Sequence, residues 1–464
     1  MCNVKYHLMK SKVQLLVVGL SFLLLLGIVF SCQEEVLVYG DTSSMYKQEV
    51  YNELLYLSEI EESPQLSKEE AIDIARNLPN LNLHLRSNAQ KQIERVDCIG
   101  NSLKTRSESN EVDTAFYIIN FSDNEGYVIL SGDLRVNTLL GFSDKGNIDW
   151  NNLSENSGIS FFKETLVNTI DQERKEFNEK LDSLREICKI DKRNIRGLSN
   201  WKKPKRSGII YSIKEKVAPL VPVEWDQIAP YNSCAPKLFN PATNKKQNAY
   251  IGCAPVAIAQ IMAAHRYPKQ INGKPVDWDI LLSTPQMTQT DKELSPHELA
   301  VCQLLRSVAD SAEVKWGLKA TSTDVPNITR CLQRYGFSGA PNYKMVDDTI
   351  RFGRFFEELK NKRPILLGGS TDPKKGVERG HLWVCDGYVV VDVRRYSGNM
   401  CLAVRDVRSY YHCNWGWNGV NNGYFYWKRF DALNPMNEIG KYKEQKKSDR
   451  VYNHKIYYFS DIHP

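Results

Sequence analysis

Cys253 heads an apolar run, Ala254 to Ala264, that carries almost no charge and is stopped by Pro268. That composition predicts a buried helix. Pro255 suits its first turn, where a missing N–H costs nothing, and Gly252 lets another backbone come close. A thiol at the N-terminus of such a helix meets the positive end of the dipole, which lowers its pKa and favours thiolate. For this segment alone, a buried structural cysteine is the plain alternative. The partners downstream shift the balance. His381 opens the strand-like run Gly380-His381-Leu382-Trp383-Val384-Cys385-Asp386-Gly387, and further on comes Asn414-Trp415-Gly416-Trp417. Cys, His and Asn in this chain order suit nucleophilic acyl transfer: the imidazole takes the thiol proton and the amide fixes the imidazole. Upstream, Gln227 offers an amide that could donate to an oxyanion, a contribution worth roughly 10²–10³ in rate.

These residues need elements to hold them. Residues 33 to about 60 are polar and read as a tether. Ser67-Lys68-Glu69-Glu70 is a capping box, followed at helical spacing by Ala71, Ile72, Ile74 and Ala75. Residues 86–112 read as a polar loop. Ala115 to Asn120 and Tyr127 to Ser131 read as a hairpin around Ser122-Asp123-Asn124-Glu125-Gly126. Phe161 to about Ile190 fits one long surface helix. Lys202-Lys203-Pro204-Lys205-Arg206-Ser207-Gly208 is a basic linker, and such exposed loops are where proteolytic nicking concentrates. Beyond it the composition changes: seven of the nine Trp lie between Trp225 and Trp427. The expected division is 1–32 signal, 33–210 tether and N-terminal domain, and 211–464 the domain carrying Cys253.

The whole chain has 464 residues, 42% hydrophobic and 25% charged, near the averages of globular proteins. Disordered, collagen-like and multi-span membrane classes are excluded. A net charge of +6 is too weak to argue for nucleic acid. No Cys-x-x-Cys pair occurs among the 11 Cys, and Cys385, Cys401, His412 and Cys413 lack metal-ligand spacing, so no metal is expected. Lys5, Lys10 and Lys12 precede an uncharged run, Val13 to Phe30, closed by Ser31-Cys32. This reads as an export signal. A small residue before Cys32 favours a lipoprotein signal with Cys32 lipidated. A plain signal or a retained anchor stays open. Either way the expected place is outside the cytoplasm, in the cell envelope or secreted.

Four blocks resemble the streptopain family of bacterial cysteine peptidases, including its lipoprotein members. They are Trp225-Asp226-Gln227 with Pro230-Tyr231-Asn232, Gly252-Cys253 through Met262, Gly380-His381 through Gly387, and Asn414 to Trp417 with Asn422-Gly423. Asp431 to Pro435 resembles a further segment. Gly126 to Asp133 and Leu140 to Ser143 resemble the family's propeptide. The resemblance implies an α+β, papain-like two-lobed domain, one helical lobe with Cys253 and one sheet lobe with His381 and Asn414, behind a smaller α+β propeptide domain. It implies a zymogen that hydrolyses peptide bonds, with Cys253 as nucleophile, His381 as base and acid, and Gln227 in the oxyanion hole. Asn414 and Trp415 would position and shield the imidazole. Gly369, Ser370 and Gly380 would border a substrate pocket for a hydrophobic residue, and Trp417 to Gly423 would form a mobile loop beside the cleft. The Gly-His-x-x-Val-x-Asp-Gly frame favours His381 over the rival imidazole His412. The implied partners are protein or peptide substrates, the chain's own propeptide as inhibitor, and a membrane reached through lipid before processing. No cofactor is implied. A surface-binding protein on the same scaffold, or an amidase or acyltransferase acting on a non-peptide substrate, are the readings left open.

Overall fold

The computed structural model describes residues 42–78, 91–100, 114–153, 158–189, 209–287, 293–338, 343–345, 353–370, 380–397, 400–426 and 457–464. Cys32, the basic linker 202–208 and the segments 431–435 and 441–450 lie outside them. None of the described helices is long and apolar enough to cross a membrane.

The chain opens with α1 (Thr42–Glu62), where a tether was expected. Leu54, Leu57 and Ile60 recur at three-residue spacing and bury against Phe177, Leu181 and Leu184 of α3 (Gly158–Cys188), the long helix the sequence predicts. Between them α2 (Lys68–Arg76) carries the capping box in full. Ser67 Oγ accepts the Glu70 N–H at 3.2 Å and Glu70 Oε2 accepts the Ser67 N–H at 2.8 Å, worth about 1 kcal/mol. Strands β1 (Ile93–Gly100), β2 (Thr114–Phe121), β3 (Tyr127–Ser131) and β4 (Leu139–Ser143) form an antiparallel meander. The hairpin β2–β3 is as expected. β1 corrects the loop expected over 86–112: it is an edge strand with β2 as its partner, half-exposed along its length, so it lacks a strand's apolar signature.

Strand β5 (Ile209–Val217) leads into the second half. Two small hairpins, β6 (Lys237–Asn240) with β7 (Lys245–Asn248) and β8 (Gln270–Ile271) with β9 (Lys274–Pro275), flank helix α4 (Cys253–His265). Helices α5 (Trp278–Leu281), α6 (Pro296–Ser311) and α7 (Val325–Arg334) complete a helical lobe. Ten consecutive residues of α4, Ala254 to Ala263, are buried, as its uniformly apolar sequence requires. The sheet lobe holds β10 (Tyr343–Met345), α8 (Gly353–Lys360), β11 (Ile365–Ser370), β12 (Gly380–Ser397), β13 (Met400–Asn414), β14 (Gly423–Tyr426) and β15 (Tyr457–Phe459).

One sheet runs through both halves, in the order β1-β2-β3-β4-β14-β13-β12-β11-β15-β10, with β5 added on β12. The N-terminal meander joins the rest where β4 pairs β14, Phe142 opposite Tyr424 and Gly141 opposite Phe425. β12 is long enough to take two neighbours on one side: β11 against residues 380–385 and β5 against 388–395. The charged stretch Val389 to Arg408 lengthens the β12–β13 hairpin. Along β12, Tyr388 and Val390 enter one apolar core while Val389, Val391 and Val393 enter another, the period-two alternation of a strand buried on both faces. Helix α4 packs on the face that carries Leu382 and Val384.

Candidate active site

Cys253 sits at the first position of α4, partly exposed at the end of a buried helix. Gly252 caps the helix with φ of 97°, and a Cβ there would fall 2.9 Å from the Thr321 carbonyl oxygen. Glycine is therefore required on both counts. The segment before it is tied to Gln227, whose carbonyl accepts the Ile251 N–H at 3.0 Å. The Gln227 amide is buried, and its Nε2 donates a long bond of 3.5 Å to Gly416 O. Across from α4, Leu382 of β12 lies in the apolar core against which Cys253 packs, so the thiol stands near the start of β12.

His381 precedes Leu382 and is buried at 8% exposure. Its Nε2 lies 3.0 Å from the Trp415 carbonyl oxygen. A carbonyl only accepts, so Nε2 carries the proton and Nδ1 is left with a lone pair. Asn414 does not orient the ring directly. Its Oδ1 accepts from Gln260 Nε2 at 3.0 Å and from the Gly416 N–H at 3.3 Å, and its Nδ2 donates to Val223 O at 2.9 Å. The amide thus pins the backbone turn that presents the Trp415 carbonyl. Gln260 is the residue that sequence reading passed over. It is a fully buried polar side chain in an apolar helix, seven residues after Cys253 and so on the same helical face.

Trp415 is buried. Its N–H donates to Asn422 Oδ1 at 2.9 Å and its indole Nε1 to Asn421 O at 2.8 Å. The expected loop 417–423 is held on two sides: the Asn418 N–H donates to Trp225 O at 3.3 Å, and Tyr127 Oη of the meander donates to Asn421 O at 3.0 Å. His412 is committed elsewhere, its Nδ1 lying 2.6 Å from Oδ1 of the buried Asp386. Gly369 stands opposite His381 and Ser370 opposite Gly380 in the β11–β12 register, Gly380 being exposed. No group of three or more His, Cys, Asp or Glu side chains among the described residues could hold a metal ion. Cys98, Cys188, Cys234, Cys253, Cys302, Cys331, Cys385 and Cys413 are free thiols.

Electrostatics correct one expectation. The helix N-terminus was to favour thiolate, but burial outweighs it and pushes the Cys253 thiol up, despite N–H donors from Leu382 and Ala254. Burial also pushes His381 down to about 4, against a raising contribution from the Trp415 carbonyl. Both groups are driven toward their neutral forms, thiol and imidazole. His265, at the end of α4, is likewise lowered by burial.

Residues 225–425 match the Peptidase C10 family and residues 63–170 match the Spi protease inhibitor. Streptopain of Streptococcus pyogenes is 26% identical over 352 residues, covering 69% of this chain and 74% of streptopain. The thiol protease/hemagglutinin PrtT of Porphyromonas gingivalis is 23% identical over 351 residues, covering 69% of this chain and 34% of that protein. A solved fragment of prointerpain A from Prevotella intermedia is 18% identical with a TM-score of 0.45, covering 73% of this chain and 93% of that one.

Proposed function

Because the chain belongs to the peptidase C10 (streptopain) family and is a cysteine peptidase made as a zymogen, we propose that Cys253 is its nucleophile and His381 the base and acid that serve it. The single observation that carries this assignment is the meeting of α4 and β12, where Cys253 packs against the core that holds Leu382 and His381 stands next in the chain. His381 Nδ1 takes the thiol proton while Nε2–H stays on the Trp415 carbonyl. The sulfur attacks the peptide carbonyl carbon, and the oxyanion accepts from Gln227 Nε2 and from the Cys253 N–H at the helix terminus. The amine leaves with the proton from His381. Water then gives a proton to the imidazole and cleaves the thioester, releasing the carboxylic acid and restoring the thiol. Trp415 shields and orients the ring, and Asn414 holds the turn behind it. Gly369, Ser370 and Gly380 border the substrate.

We further propose that the tether and inhibitory propeptide span about 33–210, that Cys32 anchors the exported precursor through lipid, and that processing falls near the basic segment 202–208, ahead of Ile209. Strand β5 supports a cut there: it begins at Ile209 and pairs with β12, so it would stay with the peptidase. The test follows the intact mass of a chain starting after Cys32, beside Cys253→Ala. The expected result is a fragment beginning near 203–209 that gains peptide-cleaving activity, while the variant stays full length and inert. A Cys253→Ala chain that matures and cleaves at the wild-type rate would overturn the assignment.

A further inference from the structure

Strand β11 carries Gly368, and the register fixes what flanks it: Leu382 stands directly opposite on β12 and Tyr457 directly opposite on β15. Directly paired residues share a face of the sheet. Here it is the face on which α4 packs, because Leu366, Leu382, Val384 and Phe459 join the residues of α4 in one core, with Cys253 and Tyr457 packed against its edge. Strands lie about 4.8 Å apart, so Tyr457 is two strand spacings from Leu382, a member of the core against which Cys253 packs. The strand between them offers no side chain at that level. The tyrosine fills the gap. A Cβ on Gly368 would lie 2.2 Å from Cζ, 2.3 Å from Cε2 and 2.5 Å from Oη of Tyr457, so the phenol tip rests on the Gly368 backbone and points across it toward Leu382. The base of the side chain is held by its neighbour two residues on: Phe459 is fully buried and meets the Tyr457 ring edge-on, with centroids 6.0 Å apart.

We propose that Tyr457 is the specificity-determining wall of the substrate side-chain pocket beside Cys253, setting its size with a ring that covers Gly368. This rests on the peptidase reading above and deepens it. The ring takes up space that an aromatic substrate side chain would need, so the pocket selects medium aliphatic residues, valine or leucine, over phenylalanine or tryptophan at the substrate position where the family resemblance implies a hydrophobic residue, the second before the cut. The C-terminal strand thereby writes specificity into a cleft built mostly by residues far earlier in the chain.

The experiment uses full-length chain allowed to mature, as wild type, Tyr457→Ala and Tyr457→Phe. Each is assayed on peptides that differ only at the second residue before the cut (Val, Leu, Phe, Trp), with active thiol titrated to fix enzyme concentration. Tyr457→Ala should raise the Phe-over-Val ratio of kcat/KM at least about tenfold, through KM, because pocket occupancy of this kind discriminates by 10-fold or more. Tyr457→Phe should keep the wild-type ratio, since ring volume and not the hydroxyl does the excluding. If Tyr457→Ala does not fold, Tyr457→Leu replaces it with the same expected direction. Equal ratios in wild type and the truncated variant, at equal thiol titre, would overturn the inference and leave the peptidase reading standing. A wild-type chain that matures and titrates but cleaves none of the peptides would overturn both.

Discussion

His381 supplies the most quantitative test of the site, because its environment carries a stability consequence with a definite sign. Burial holds its imidazole near 4, against 6.5 in the unfolded chain. The unfolded chain therefore binds a proton below 6.5 that the folded chain refuses until about 4, and stability is lost as pH falls through that window. At pH 7 both states are neutral and the difference is negligible. At pH 4.5 the unfolded histidine is almost fully protonated and the folded one mostly is not, which costs the folded state about 2.5 kcal/mol. The perturbation is His381→Gln in a Cys253→Ala background that cannot process itself. The assay is urea denaturation at pH 7 and at pH 4.5 for both chains. Every other titrating group is common to the two, so the difference of differences isolates His381. Acidification should destabilise the histidine chain by about 2.5 kcal/mol more than the glutamine chain. Equal losses would mean that the imidazole accepts its proton in the folded state at an ordinary pH, and the neutral-pair description of the zymogen would be refuted.

Two other perturbations read the supports of the site. Gln260→Ala removes the donor to Asn414 Oδ1 from a fully buried position and leaves a cavity, so it should cost about 2–3 kcal/mol of stability. As a positioning residue it should also lower kcat about tenfold with KM little changed, and an unchanged kcat in steady-state assays would remove it from that role. Tyr127→Phe removes the hydrogen bond from the propeptide to Asn421 O, worth about 1 kcal/mol. In the intact zymogen this should speed alkylation of the Cys253 thiol about fivefold, and an unaltered rate would mean that this contact does not hold the cleft closed.

Much of this was legible because local chemistry and tertiary placement agree. The Ser67–Glu70 capping box, the all-apolar helix after Cys253 and the β2–β3 hairpin each carry their own signal, and each formed where that signal lies. Elements that lean on a distant partner were harder. In α1 the buried stripe is Leu54, Leu57 and Ile60, with Val50 and Tyr56 partly buried beside it, enough because α3 supplies the other half of the core. β1 has a partner on one side and leaves Glu94, Arg95, Cys98 and Gly100 exposed, so no apolar alternation marks it. In the site, residue types named Cys253, His381 and Asn414. The group that orients the imidazole is a backbone carbonyl, and no residue type encodes a carbonyl. The sign of the Cys253 shift was misjudged because a helix terminus is visible in sequence, whereas the depth of burial that outweighs it depends on the whole fold.

That burial has an identifiable source, and it links the inhibitor to the chemistry. His381 stacks on Trp383 with ring centroids 6.1 Å apart, Trp383 meets Trp415 at 5.3 Å, Trp415 meets Phe425 at 5.3 Å, and Phe425 meets Phe162 at 4.7 Å. Phe162 belongs to α3, within the segment matching the protease inhibitor. The rings that desolvate the imidazole are thus capped at their far end by the N-terminal domain, in a core the two halves share. The backbone repeats the arrangement, since β4 continues the catalytic sheet at β14, a few residues from the turn that presents the Trp415 carbonyl. Removing such a domain would do more than uncover a cleft. It would return Phe425 and the edge of β14 to water and thin the apolar cover over Trp415. Hydration favours the charged form of an imidazole, so the step that admits substrate would also move His381 back toward the range in which it can hold the thiol's proton.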